Sequence, residues 1–404
     1  MRSTDLERFS GYPRPDGRAG IRNVVLVLPV GQCANELAAR VAAGIPAAYP
    51  FLHTQPCAHL GEDNTAAQHC LIGLGRNPNA AAVLLVGVGC EALDADDIMD
   101  DMAATGKPVH CVTLESAGDF ERAVTEGRRW LRAQSEAVAR LHREPVSLSS
   151  LTVAVKCGGS DTTSALAGNP AIGRAVDDFI DRGASVVFSE TTELIGAEHL
   201  LADRAATDTV RRTLLEAVHR AEERIRTTGV DPRGIQPTPG NIRGGLTTLE
   251  EKSLGGVLKT GTRPLQSAFA WGSRADVPGL AFMDCPANVP QLLIGWAAAG
   301  ATLLVFSVGG GVPARIPSLI GTNVGGLPLL PIVKVLSNPR ETDARRFFDI
   351  YAGTILEQSE SLDHVAGRIT AAVLETASGT ETLYEQHPWP GHQIWELLTH
   401  GPTV

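Results

Sequence analysis

Seven cysteines stand in this chain, and five of them follow closely on apolar runs that read as buried β-strands. VVLVLPV (24–30) leads into Gly31-Gln32-Cys33, YPFLH (49–53) into Thr54-Gln55-Pro56-Cys57, and AVLLVGV (82–88) into Gly89-Cys90-Glu91. LTVAVK (151–156) leads into Cys157-Gly158-Gly159-Ser160-Asp161, and LAFM (280–283) into Asp284-Cys285. Ligands of open parallel sheets bind beyond the carboxyl ends of the strands. A cysteine there can be a small residue chosen for a tight turn. Several together, mixed with acids, point instead to a shared site. Thiolates are soft ligands that favour zinc or iron. The long, irregular spacings are not those of a zinc ribbon, so the ligands would converge only through the fold. Cys70, within a helical pattern, and Cys111, within a strand, read as core.

Other candidates lie at the same kind of position. His53 precedes Cys57 by four residues and could be a structural histidine, a base or a ligand. Glu190, Glu193 and Glu198 follow ASVVFS (184–189); the last two also suit a helix entry. Asp161 could accept bonds from amides of its glycine turn or hold a substrate hydroxyl. Thr248-x-x-Glu251 fits a capping box, which leaves Glu251 a structural role. Lys252 could pair with a substrate carboxylate. Asn241, Arg18 and Arg22 are further anion-binding candidates, although Arg22 sits near a strand start, at the wrong edge of a sheet. Gly87-x-Gly89-x-x-Ala92 imitates a dinucleotide fingerprint. Cys90-Glu91 would occupy its phosphate turn, and a carboxylate there opposes a pyrophosphate.

These residues need a scaffold, and the pattern supplies one. Short β-branched runs alternate with helical periods from Val24 to about Leu141, then again from Leu151 onwards. That rhythm predicts an α/β fold of two domains, each a mostly parallel sheet wound with helices. The polar segment 143–150 places the boundary, giving an N-terminal domain over 1–145, a C-terminal domain over 146–385 and a tail over 386–404. One long helix is expected over 197–228. The glycine- and proline-rich segment 230–245 is expected to be loop.

With 404 residues, 43% hydrophobic and 20% charged, the composition is that of an ordinary globular protein. A net charge of −10 gives no electrostatic footprint for nucleic acid or an anionic membrane. No apolar run approaches the ~20 residues of a membrane helix. The polar opening segment and an odd number of scattered cysteines lead to the expectation of a reduced cytoplasm.

Five motifs, taken in order, resemble the altronate/galactarate dehydratase family: GYPRPDGRAGIRN (11–23), VGVGCE (86–91), KCGGSDTTSALAGNPAIG (156–173), ETTELIGAEHLL (190–201) and PTPGNIRGGLTTLEEKSLG (237–255). The likeness spans about residues 11–385. It is strongest to the large subunit of two-subunit members, among them sulfo-lyases. It implies an iron-dependent β-elimination from a small hydroxy or sugar acid, giving a 2-keto acid. It also implies a separate small subunit and a homo-oligomer. By position, Cys33, Cys57, Cys90 and Cys157 would hold iron, as an open four-iron cluster or a single ferrous ion. His53, Glu193 and Lys252 would be catalytic, and Asp161, Glu190 and Asn241 would bind substrate. Relatives carry Thr-Thr-Gly-Arg-Gly where this chain has Ser307-Val308-Gly309-Gly310-Gly311, so Arg315 is the expected substitute for the missing guanidinium. Relatives also carry a histidine and a glycine where this chain has Gln55-Pro56. The alternatives are sulfite release from a sulfonated hydroxy acid and, outside enzymes, a non-catalytic α/β binding subunit.

Overall fold

The computed structural model describes residues 8–275, 277–310, 327–386 and 393–400. In chain order its strands are β1 (Arg8–Pro13), β2 (Ala19–Gly20), β3 (Val24–Pro29), β4 (Ala48–Pro50), β5 (Leu52–His53), β6 (Ala80–Gly87), β7 (Val109–Thr113) and β8 (Glu144–Ser147). They continue as β9 (Thr152–Gly158), β10 (Ser185–Phe188), β11 (Leu265–Ala270), β12 (Leu280–Asp284), β13 (Leu303–Val308), β14 (Ile332–Leu336), β15 (Ile350–Tyr351) and β16 (Ile394–Trp395). Two wholly parallel sheets dominate, ordered β4-β3-β6-β7 and β11-β12-β10-β9-β13-β14-β15. Every residue of β3, β6, β13 and β14 is buried. Helices cover both faces, which explains why these strands are apolar throughout rather than alternating. This is the two-sheet α/β arrangement expected from the sequence.

The strand order sets where a ligand can sit. In the first sheet the chain leaves β3 toward β4 and leaves β6 toward β7, in opposite directions. In the second it leaves β9 toward β10 and β13 toward β14. Each reversal opens a crevice beyond the carboxyl ends of the two strands. The β3/β6 crevice receives Cys33 and Cys90. The β9/β13 crevice receives Cys157, Asp161 and Gly309.

One continuous core joins the sheets, running from Leu28 and Leu85 to Phe306 and Val308. The buried helix Val289–Ala298 packs on helix Glu62–Arg76. A Cβ on Gly73 would lie 2.5 Å from the Ala298 carbonyl oxygen, so this contact requires glycine. Two buried asparagines tie the halves: Asn77 donates to Ala297 and Ala301, and Asn79 to Thr302 and Leu329.

In the boundary segment 143–150, β8 pairs antiparallel with β1. Its proline sits on an edge strand, where a missing N–H is tolerated. Within the tail, β16 pairs parallel with β5, and Trp395 stacks on Phe51 with ring centroids 5.8 Å apart. Two expectations need correction. The expected helix over 197–228 is two, Glu198–Ala202 and Asp208–Arg226. Thr207 caps the second, so the chain turns between them. Segment 230–245 contains the short helix Pro239–Arg243, with proline at its first position and Thr238 as its cap.

Candidate active site at two sheet rims

At the first rim, the three cysteine-bearing loops are laced together by their backbones. Val30 N donates to Val86 O (2.9 Å), Gln32 N to Gln55 O (2.7 Å) and Ala92 N to Cys57 O (2.8 Å). The Glu91 carboxylate accepts from Val88 N (2.7 Å) and Gly89 N (2.8 Å), satisfying amides that the end of β6 leaves free. The acid beside the thiol is therefore a local cap. Gly89, at φ +108°, has a conformation only glycine adopts easily, and a Cβ there would meet Glu115.

Cys33, Cys57 and Cys90 are all exposed. The Cys33 thiol is pushed above its ordinary value first by its hydrogen bond to Cys57 and the charge of Cys57, with smaller effects from burial, Cys90 and Glu91. Cys57, and more weakly Cys90, therefore act on the Cys33 thiol. Among the described residues, no three histidine, cysteine or acidic side chains stand close enough to hold one ion as placed. The donor set still suits a thiophilic metal: soft atoms, open to solvent, on braced loops. On the Cys57 loop, the buried Gln55 carboxamide has no hydrogen-bond partner among the described residues.

His53 ends β5. It is fully buried; Nε2 meets Pro29 O at 2.7 Å, and Nδ1 accepts from Gln55 N at 3.1 Å. Both ring nitrogens are used, which fixes a neutral tautomer. Burial brings its pKa down to about 4, against a small opposing effect of the Pro29 hydrogen bond. Asn35 brackets its backbone from the other side. His53 therefore positions the Cys57 loop.

The second rim is built from buried charge. Glu190 accepts from Lys156 Nζ (2.7 Å) and pairs with Lys259 Nζ (3.0 Å), all at most 4% exposed in their side chains. Its backbone is left-handed, with φ +75°. Such a conformation costs a non-glycine residue about 1–3 kcal/mol and persists only where its surroundings hold it. Burial opposes the charge on each group, yet the opposite charges prevail: the Lys156 pKa is raised and that of Glu190 lowered. Glu190 is thus a structural anchor in the ion cluster rather than a substrate contact. Next to it, Lys252 Nζ pairs with Glu193 (2.8 Å) and donates to Gln236 Oε1 (2.8 Å).

Cys157 belongs to this rim. It is 1% exposed, with Ser160 Oγ at 3.0 Å and Asn169 Nδ2 at 3.3 Å from its sulfur. Burial raises its pKa, while Lys259 opposes that rise. A buried, hydrogen-bonded thiol among lysines is no open metal ligand, so the structure separates Cys157 from the exposed trio.

Asp161 is saturated. Oδ1 accepts from Ser164 N (2.8 Å) and Thr163 Oγ1 (2.7 Å), and Oδ2 from Gly310 N (2.6 Å) and Asn338 Nδ2 (2.9 Å). It locks the crevice rather than offering a free oxygen to substrate. A Cβ on Gly310 would lie 2.0 Å from Asn338 Nδ2, so any side chain there would have to displace the Asn338 carboxamide from Asp161. Asn241 likewise serves the scaffold: it completes a capping box with Thr238 and donates to Ser160 O (2.8 Å). Glu198 and Glu251 take their helix-entry roles, and Arg22 is bound by Glu385. Arg315 lies outside the described residues.

Sequence reasoning missed Lys156 and Lys259. A signal for the first was present: a lysine closing the apolar run LTVAVK has to be buried, and buried lysines need partners. Lys259, beyond the end of a helix, gave none.

Two family models together cover most of the chain. Residues 11–139 match the second domain of D-galactarate dehydratase/altronate hydrolase, and residues 148–400 match the C-terminal domain of D-galactarate/altronate dehydratase. The chain is 36% identical over 377 residues to the (2R)-sulfolactate sulfo-lyase subunit beta of Chromohalobacter salexigens, covering 93% of each. It is 30% identical over 401 residues to altronate dehydratase of Bacillus subtilis, covering 95% of this chain and 77% of the relative. It is 31% identical over 340 residues to galactarate dehydratase (L-threo-forming) of Escherichia coli, covering 81% and 62%. This chain belongs to the D-galactarate/altronate dehydratase family and is a lyase with a dehydratase or sulfo-lyase function.

Proposed function

We propose that the protein catalyses β-elimination of water from a small hydroxy or sugar acid, yielding a 2-keto acid. The observation that carries this is the Lys252–Glu193 pair, mostly buried at a sheet rim, in a chain that aligns with family dehydratases over most of its length. Glu193 accepts the proton α to the substrate carboxylate. Such a proton is weakly acidic, so the carbanion needs positive charge beside it. Lys252, held by Gln236, supplies that charge to the enediolate. The electron pair expels the β-hydroxyl, which takes the proton back from Glu193 and leaves as water, and the enol tautomerises to the keto acid. When bound by Cys33, Cys57 and Cys90, as an open four-iron cluster or a ferrous ion, iron supplies Lewis acidity toward the leaving oxygen.

A sulfo-lyase reaction is the second reading, favoured by the 36% identity to the sulfolactate enzyme across 93% of both chains. The same proton transfer would then expel sulfite. Because that relative is a subunit beta, a separate small subunit completes the enzyme in this reading, and the large chain forms a homo-oligomer in the reduced cytoplasm.

The test is anaerobic purification followed by a panel of hydroxy acids and sulfonated hydroxy acids, assayed for keto acid and for sulfite. Keto acid without sulfite identifies the dehydratase; sulfite identifies the sulfo-lyase. Full activity in iron-free protein refutes the metal role. A structure in which bound substrate touches neither Glu193 nor Lys252 refutes the assigned pair.

A further inference from the structure

Away from both rims, arginines gather in a trough between the two halves of the chain. Its larger part, about 550 Å³, is lined by Arg18, His69 and Arg76 from one half and by Ser273 and Arg274 from the other, with Asp101 as its acid. A smaller part of about 170 Å³ shares Arg18 and Arg274 and reaches Thr152, Ser185 and Gly300. These residues stand at the amino ends of β9 and β10 and just before β13. The trough therefore opens at the edge opposite Cys157 and Glu190, and cannot be an extension of the lyase centre.

Its geometry is convergent. A Cβ placed on Gly300 would lie 3.9 Å from both Arg18 Nη1 and Arg274 Nε, so two guanidiniums aim at one floor. Gly300 has φ +96°, and its missing side chain keeps that floor open. Arg18 is set in place by the Asp16 carboxylate and by a bond to Arg76 O (2.7 Å). The Arg76 guanidinium has no carboxylate partner among the described residues. Lys107 is buried on the carbonyls of Gly75, Asn77 and Ala80, and its pKa is lowered first by burial and then by Arg18 and Arg14, against an opposing effect of Asp16. A net charge of −10 makes this basic hollow unusual for the molecule.

We propose that the trough is a second ligand site, which binds a small oxyanion of the phosphate class. Forked guanidiniums match the oxygens of a phosphoryl group, and the volume also accommodates an organic body attached to it. Because its lining comes from both halves of the chain, the ligand clamps them together.

Isothermal titration of the full chain with inorganic phosphate, glycerol 3-phosphate and glycerol, at constant ionic strength, tests this. Saturable binding of either phosphate, with none of glycerol, supports the site. Tighter binding of the ester marks an organic phosphate as the ligand; equal binding marks free phosphate. Arg76→Gln and Arg274→Gln are each expected to raise Kd about tenfold and to leave lyase activity within about twofold. No saturable binding by the unmodified chain overturns the proposal. So does binding that both variants leave unchanged.

Discussion

The two rims solve the same topological problem in opposite ways. At the β3/β6 crevice the chain spends backbone hydrogen bonds on bracing three loops and leaves their thiols exposed. At the β9/β13 crevice it buries the charged side chains and lets them hold one another. The first arrangement offers ligand atoms to something that arrives. The second fixes charges in advance, in a low-dielectric setting where electrostatic stabilisation is strongest and costs no reorganisation. Activity at the first rim should therefore separate from stability, and at the second the two should be entangled.

The largest effect tests that separation. Cys90→Ala is expected to abolish iron retention and to lower kcat by about 10³-fold, the order that several kcal/mol of Lewis-acid stabilisation would represent. Its free energy of unfolding should move by less than about 0.5 kcal/mol, as for other exposed positions. Metal analysis beside urea denaturation checks both numbers. A strongly destabilised variant would mean that the thiol is structural.

Lys252→Met comes next. Loss of one preorganised group that stabilises the developing charge costs about 10²–10³-fold in rate, so kcat should fall within that range. Because the ammonium is buried against Glu193, stability should change as well. Steady-state kinetics paired with thermal unfolding reveals whether the two losses travel together.

Glu190→Gln measures the entanglement directly. It leaves Lys156 and Lys259 buried without their carboxylate. Breaking such a network by removing one partner costs on the order of 3–5 kcal/mol, readable as a lower urea midpoint. A neutral result would show that one lysine is uncharged in the folded protein.

The smallest effect concerns the histidine below the thiols. His53 has a folded pKa of about 4 against 6.5 for the free side chain. Between those values the unfolded chain binds a proton that the folded chain excludes, so stability must rise with pH. The contribution is fully present above about pH 6.5 and is lost as pH falls toward 4. A difference of 2.5 pH units corresponds to about 3 kcal/mol. His53→Asn should flatten the acid side of a stability–pH curve over that window, and an unaltered slope would rule out this assignment.

Much of this was legible in advance because burial on two faces writes itself into a strand as an unbroken apolar run. VVLVLP and AVLLVG announced the sheet, and the residues just past them announced the rims. Gly310 was visible as a departure from relatives, but not as the space Asn338 fills. Polar segments misled for the converse reason. EPVS and the tail dipeptide Ile394–Trp395 become strands only because distant partners, Arg8–Pro13 and Leu52–His53, are brought alongside them. The free β11 run, LQSAFA, is an edge strand whose half-buried pattern resembles a loop.

By itself the sequence determined the fold class, the family and the placement of five cysteines past strand ends, since all three follow from local pattern along the chain. Only the tertiary structure decided what each candidate does. Whether a histidine is a base or a brace, an aspartate a ligand or a lock, and a thiol an open donor or a buried neighbour of lysines depends on the partners within about 3 Å. The deciding partners, such as Pro29 for His53 and Gly310 and Asn338 for Asp161, come from segments tens to hundreds of residues away, and no local pattern records them.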